Sequence, residues 1–133
     1  MSFKTDYASG LNQEAQILPL IKTKKKYNNL KKAQYKYSSY DFFNDKFEIE
    51  LKSRNVKHDT YKDTIIACDK VERETDKKIV LFFKFTDGLF YIRYRKSKFD
   101  KFIKEPFVRN KRNDFNDKKK EYYHIPISKL KEF

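Results

Sequence analysis

A strictly alternating segment in the first half of the chain constrains the fold more than any other feature. From Phe47 to Lys52, apolar residues alternate with charged ones, which is the period of a β-strand with one buried face. The three apolar residues then face a core. The charged side chains face the opposite surface, where Glu50 and Lys52 form an acid-x-lysine pair.

A second acidic residue precedes this strand. Asp41 is separated from Glu50 by the turn-prone residues 44–46, which read Asn-Asp-Lys. A turn there folds the segment of Asp41 back beside the strand, so that two carboxylates and Lys52 converge. Taken alone, a Glu-x-Lys pair fits an edge strand with a solvated charged face equally well.

The spacing of Asp41 and Glu50-Leu51-Lys52 resembles the motif of the PD-(D/E)XK nuclease superfamily, with Tyr40 where the name-giving proline would stand. The resemblance implies that Asp41 and Glu50 bind Mg²⁺ or Mn²⁺, and that Lys52 positions the attacking water and stabilises the phosphorane. It also implies an α/β (α+β) fold of the restriction-endonuclease-like type: a mixed β-sheet flanked by helices, with an αβββαβ core and a C-terminal hairpin extension. Other segments look like small nuclease-like proteins of large DNA viruses and phages, namely residues 61–70, 85–89 and 122–127.

The N-terminal part predicts a helix from Ser9 to Ile21, which Pro19 should kink or interrupt. Glu14 borders the apolar stripe of this helix. An acid in that position is often only an exposed helix residue. The superfamily that the chain resembles frequently sends a glutamate from its first helix to the metal, which makes Glu14 the third candidate ligand.

Periodicity and turn residues predict the remaining elements. Residues 63–74 predict a second helix, with Asp63 or Thr64 as its N-cap. The nearly continuous apolar run of residues 79–85 predicts a central strand, and Asp87-Gly88 predicts a primed hairpin turn into a strand over residues 89–95. The weaker patterns predict a strand over 33–38, a short helix over 96–104, a basic loop over 109–120 and a strand over 121–127 that ends near Pro126.

The charge of the chain favours a polyanionic partner. Lys and Arg number 32 against 19 acids, for a net charge of +13, although the many Lys, Asn, Phe, Tyr and Ile residues also fit the bias of an AT-rich genome. The candidate nucleic-acid contacts are Arg54, Arg93, Arg95 and Arg109, to which the resemblance adds Tyr61, Thr64 and Lys70. Three of them have structural alternatives: an ion pair of Arg54 with Glu48 or Asp45, capping by Thr64, and coverage of an outer sheet face by Arg93 and its neighbours.

Together these features predict one domain, residues 1–133, that acts as a Mg²⁺-dependent DNA endonuclease. Two alternatives stay open: a non-catalytic nucleic-acid-binding protein on the same fold, and a nuclease that cleaves RNA. Cys68 is the sole cysteine, and neither a secretory signal nor an apolar run of about 18 residues is present. We therefore expect a soluble, non-secreted protein of the cytoplasm or the nucleus of a host cell, without a membrane partner. A homodimer would allow it to cut both strands.

Overall fold

The computed structural model describes residues 13–35, 38–106 and 120–133, which form a mixed α+β fold made mostly of sheet. Helix α1 includes residues 13–21 and continues past Pro19. Short 3-10 helices cover Lys25–Tyr27, Cys68–Lys70 and Ile127–Lys129. The other elements are β1 (Lys31–Lys32), β2 (Phe42–Phe43), β3 (Phe47–Ser53), β4 (Asp63–Ala67), β5 (Lys78–Phe85), β6 (Gly88–Arg93), α2 (Lys96–Phe99), β7 (Ile103–Pro106), β8 (Glu121–Pro126) and β9 (Lys131–Glu132).

Nine strands of the described residues form two sheets. The larger has six strands in the order β1-β2-β3-β5-β6-β9, and the smaller has the order β4-β8-β7. Strands β3 and β5 are parallel, and every other pair is antiparallel. The larger sheet is therefore mixed, with its parallel pair at the centre.

Two hydrophobic clusters cover the two faces of the larger sheet. On one face, Ile17 and Ile21 of α1 pack against β2, β3 and β5. On the other, Ile66 and Ile125 of the smaller sheet pack against alternate residues of β5 and β6. Residues 79–83 of β5 are all buried, so the prediction of a central strand buried on both faces is confirmed.

The alternation of β3 is confirmed, but its charged face is not a solvated surface. The apolar face packs in the α1 cluster through Phe47, Ile49 and Leu51. On the opposite face, Glu48 and Glu50 are also buried, and only 4% of Glu50 is exposed. The smaller sheet and the 3-10 helix Cys68–Lys70 cover that face, which the local sequence pattern does not reveal.

The predicted helix over residues 63–74 is wrong. Residues 63–67 form β4, which pairs in register with β8, and only the 3-10 turn Cys68–Lys70 is helical. Thr64, Ile65 and Ile66 are β-branched and suit a strand once a partner strand is present. Thr64 is accordingly paired with Ile125 in the sheet and is not a helix N-cap.

The hairpin from β5 to β6 is confirmed, whereas the primed turn is wrong. Phe85 pairs with Gly88, so that Thr86 and Asp87 form the loop. No described residue has a positive φ, and a primed turn requires one.

The remaining predictions are partly correct. The strand of residues 121–127 is confirmed as β8, which ends at Pro126. The predicted helix over 96–104 is helical only in α2, and Ile103 begins β7 instead. Of the predicted strand over 33–38, residues 33–35 are not a strand and residues 36–37 lie outside the described residues. A strand occurs earlier instead, at β1. The predicted basic loop also lies outside the described residues, up to residue 119. Within the described ranges, none of the helices has the length and apolar character needed to cross a membrane.

Candidate functional site

Strands β2 and β3 bring Asp41 beside Glu50. The Asp41 N–H donates to the main-chain oxygen of Ile49 at 2.8 Å, which continues the β2–β3 pairing by one residue. The Leu51 N–H donates in turn to Asp41 Oδ2 at 2.7 Å. The Asp41 carboxylate is thus fixed at the edge of β3, next to the acid-x-lysine pair.

Helix α1 brings Glu14 to the same place. Packing of Ile17 and Ile21 on the sheet sets the position of the helix, and Glu14 and Asp41 line the same cleft. Burial, followed by the interaction with Asp41, raises the pKa of Glu14 to about 7, although Lys32 Nζ lies 3.5 Å from Glu14 Oε2 and opposes the rise.

Glu50 lies on the other side of Asp41 and holds two lysines. Lys52 Nζ is 3.2 Å from Glu50 Oε1, and Lys70 Nζ is 3.8 Å from the same oxygen. Burial, and after it the charge of Asp41, raises the pKa of Glu50 to about 7, although both lysines oppose the rise. We call Glu14, Asp41, Glu50 and Lys52 the carboxylate cluster.

The carboxylate cluster offers oxygen ligands of the kind that Mg²⁺ and Mn²⁺ prefer. Burial is the first cause of the raised pKa values of Glu14 and Glu50, and the interaction with Asp41 adds to it. A cation held by Glu14, Asp41 and Glu50 would favour their charged forms and so offset both causes.

Among the described residues, one tight group of three metal-ligand side chains lies outside the carboxylate cluster, and the sequence did not predict it. The ligand atoms of His58, Asp59 and Asp87 all lie within 4.8 Å of one another. His58 Nδ1 is 2.6 Å from Asp87 Oδ2, and the His58 N–H donates to Asp87 Oδ1 at 2.9 Å. These contacts join the loop after β3 to the β5–β6 hairpin. Because the two segments are distant in the sequence, no local pattern could have indicated the pairing.

A cleft of about 740 Å³, which we call the β4 cleft, opens beside the carboxylate cluster. Strands β4 and β8 form its walls with the loop that follows β3. Five of the predicted site residues line it: Lys52, Arg54, Tyr61, Thr64 and Lys70. The structure therefore brings the lysine of the motif and four of the candidate nucleic-acid contacts to one surface.

Within the β4 cleft, Arg54 joins β3 to β4. Its Nε donates to Thr64 Oγ1 at 3.2 Å, and its Nη2 donates to the main-chain oxygen of Ile65 at 2.8 Å. Glu48, which was considered as an ion-pair partner of Arg54, instead accepts a hydrogen bond from Arg73. The pairing of Arg73 with Glu48 was not predicted, because the sequence analysis assigned the segment of Arg73 to a helix.

Glu14 and Asp41 line a second cleft of about 860 Å³, the α1 cleft, together with Lys31, Lys32 and Tyr35. The pairing of Lys32 with Glu14 in this cleft was not predicted.

The predicted arginines outside these clefts are spread out. Arg93 is paired with Val80 at the end of β6, and its buried Nε has no hydrogen-bond partner. Arg95 follows on the exposed surface, and Arg109 lies outside the described residues. Neither Arg93 nor Arg95 lines the β4 cleft or the α1 cleft. The chain matches no protein-family model, no curated protein and no solved structure.

Proposed function

We propose that this chain is a metal-dependent nuclease that hydrolyses phosphodiester bonds in DNA. The observation that carries the proposal is that Asp41, whose Oδ2 accepts a hydrogen bond from the Leu51 N–H at 2.7 Å, lies beside the pair of Glu50 and Lys52, whose charged atoms are 3.2 Å apart. Glu14 and Asp41 line the α1 cleft, and Lys52 lines the β4 cleft. RNA is an alternative substrate for the same chemistry.

The order of elements supports this proposal. Helix α1 is followed by β1, β2 and β3, and β5 then lies parallel to β3 in the same sheet. A restriction-endonuclease-like core has the order αβββαβ, which differs only in having a helix between the two parallel strands. We propose that β4 and the 3-10 helix Cys68–Lys70 replace that helix here and deliver Lys70 to Glu50.

In this proposal Glu14, Asp41 and Glu50 hold Mg²⁺ or Mn²⁺. When bound, such an ion lowers the pKa of a water molecule and neutralises charge on the phosphate. Lys52 places its ammonium where negative charge develops on the phosphorane. Glu50 holds that ammonium in position, and Lys70 adds a second positive charge on the side of the β4 cleft.

A second function has its own observation in its favour. Glu50 already holds Lys52 and Lys70 within 3.8 Å, and Glu14 holds Lys32 at 3.5 Å. Three acids next to three lysines can stabilise one another as a structural network in a non-catalytic nucleic-acid-binding protein. Such a protein would bind DNA with the same affinity in EDTA as in Mn²⁺, and calorimetry would detect no Mn²⁺ binding.

The deciding experiment incubates the purified protein with supercoiled plasmid, single-stranded DNA and RNA, each in Mg²⁺, Mn²⁺ or EDTA. We expect cleavage of DNA in the presence of metal and none in EDTA. Asp41→Asn and Glu50→Gln should abolish it. These changes are preferable to alanine, because Asp41 accepts a hydrogen bond from the Leu51 N–H and Glu50 is buried.

Glu48→Gln is the matched control. Glu48 lies on the same face of β3, is also buried and also pairs with a cation, but it is not part of the carboxylate cluster. This variant should still cleave. Cleavage that persists in Glu50→Gln, or that proceeds in EDTA, would contradict the proposal.

A further inference from the structure

An exposed tyrosine marks the rim of the β4 cleft. Tyr61 leaves 67% of its surface exposed, and it lines the cleft together with Lys57, Lys70 and Lys120. Asp63 is the acid among the lining residues, so positive charge predominates. Aromatic rings beside lysines are what proteins use to bind unpaired nucleotides, with bases stacked on rings and phosphates on cations.

The loop that carries Tyr61 is fixed in place. His58 contacts Asp87 through both its main-chain N–H and its ring, and the ring also stacks on Phe90 at a centroid distance of 4.6 Å. The Thr86 N–H donates to the main-chain oxygen of Val56 at 3.0 Å. The main chain of the loop is therefore held in place without a ligand, which lowers the entropic cost of binding.

The exposed ring of Tyr61 distinguishes between forms of nucleic acid. The cleft of about 740 Å³ has the size of pockets that hold small ligands, roughly 300–1,000 Å³. Stacking on Tyr61 requires a base that is not paired inside a duplex.

We propose that the β4 cleft binds a single-stranded segment of nucleic acid, with one base stacked on Tyr61 and the adjoining phosphates on Lys57, Lys70 and Lys120. This proposal depends on the proposed function in one respect: the bound segment would lead to the phosphodiester bond that the nuclease cuts. A second exposed tyrosine, Tyr35, lines the α1 cleft with Lys31 and Lys32.

Binding without turnover tests this proposal. The affinity of the full chain for a fluorescent single-stranded oligonucleotide and for the blunt duplex of the same sequence is measured in EDTA. The wild type should bind the single strand more tightly than the duplex. Tyr61→Ala should weaken single-strand binding by about 5- to 150-fold, the range expected for the loss of one stacked base, and change duplex binding by less than twofold.

Two further variants complete the test. Tyr61→Phe keeps the ring and should bind the single strand like the wild type. Ile103→Ala removes a side chain that is 61% exposed but lines neither cleft, and it should have no effect. Duplex binding at least as tight as single-strand binding, or equal loss in Tyr61→Ala and Ile103→Ala, would overturn the inference.

The binding assays in EDTA and the cleavage assays in metal together separate this inference from the nuclease proposal. Single-strand binding that depends on Tyr61, without any cleavage in metal, supports the cleft assignment and refutes the nuclease. Metal-dependent cleavage, together with single-strand binding that Tyr61→Ala leaves unchanged, supports the nuclease and refutes the single-strand cleft.

Discussion

Replacing Glu50 by glutamine should make the metal-free protein more stable at pH 8. Gln has the shape of a protonated glutamate but never carries the charge. Burial and the charge of Asp41 raise the pKa of Glu50 from 4.5 to about 7, which means that the folded state binds the proton more tightly than the unfolded chain does. Above pH 7 the folded protein must hold a buried charge that it disfavours.

The size of the effect follows from the shift in pKa. One pKa unit corresponds to about 1.36 kcal/mol, so a rise from 4.5 to about 7 destabilises the folded protein by roughly 3 kcal/mol above pH 7. The penalty is absent below pH 4.5, where both states are protonated, and it grows as the pH rises from 4.5 to about 7, above which it stays constant. Glu50→Gln should therefore increase the free energy of unfolding by up to about 3 kcal/mol at pH 8 and leave it nearly unchanged at pH 4.5.

Glu48→Gln provides a control of opposite sign on the same strand face. Glu48 accepts a hydrogen bond from Arg73 in a mostly buried position. The loss of one charge-assisted hydrogen bond there costs about 1.5–3 kcal/mol. This variant should be less stable than the wild type at pH 8.

Urea denaturation of the three proteins at pH 8, 6 and 4.5, without divalent metal, measures all of these quantities. If Glu50→Gln is less stable than the wild type at pH 8, the pairs with Lys52 and Lys70 outweigh burial, and Glu50 is a structural ion-pair residue. If its stability depends on pH as steeply as that of the wild type, the titrating group lies elsewhere.

Three further predictions concern metal, salt and the lysines. Millimolar Mn²⁺ should raise the Tm of the wild type at pH 8 and leave that of Glu50→Gln unchanged, by thermal-shift assay; an equal rise in both would move the metal away from Glu50. Binding to duplex DNA should weaken with salt, with a slope of log K against log salt of about −0.9 per phosphate contact, and a flat titration would mean that the lysines do not contact phosphate. Lys52→Met should lower the rate of single-turnover cleavage by about 100- to 1000-fold, while its Mn²⁺ affinity, measured by calorimetry, persists. Lys70→Met should lower the cleavage rate less. Loss of metal binding in Lys52→Met would make Lys52 a structural partner of Glu50.

The sequence predicts those parts of the fold that short-range patterns determine. Strands β3 and β5 and the β5–β6 hairpin follow from alternation, from an apolar run and from a turn between neighbouring segments. Asp41 reaches Glu50 for the same reason, since β2 and β3 are joined by the turn at residues 44–46. Three of the four members of the carboxylate cluster, Asp41, Glu50 and Lys52, are thus brought together by local features of the chain.

Long-range pairing determines the parts that the sequence did not predict. Ile65, Ile66 and Val71 fit a helical stripe, but β8, far along the chain, pairs with residues 63–67 and makes them a strand. That sheet then covers the charged face of β3 and buries Glu50, which the local alternation assigns to a surface. The raised pKa of Glu50 is a consequence of this packing and could not be derived from the motif.

The loss of stability expected from a charged, buried Glu50 is itself an argument about function. Glutamine would fill the same space on β3 without a buried charge, and the Lys52 and Lys70 side chains remain partly exposed to solvent. If Glu50→Gln is the more stable protein without metal, a structural role does not explain the acid. An acid that destabilises the metal-free protein, next to two more acids, is what the proposed cation-binding centre requires, because the bound ion turns the same repulsion into attraction. The stability of Glu50→Gln and its response to Mn²⁺ therefore distinguish the nuclease from the non-catalytic binding protein even before a substrate is found.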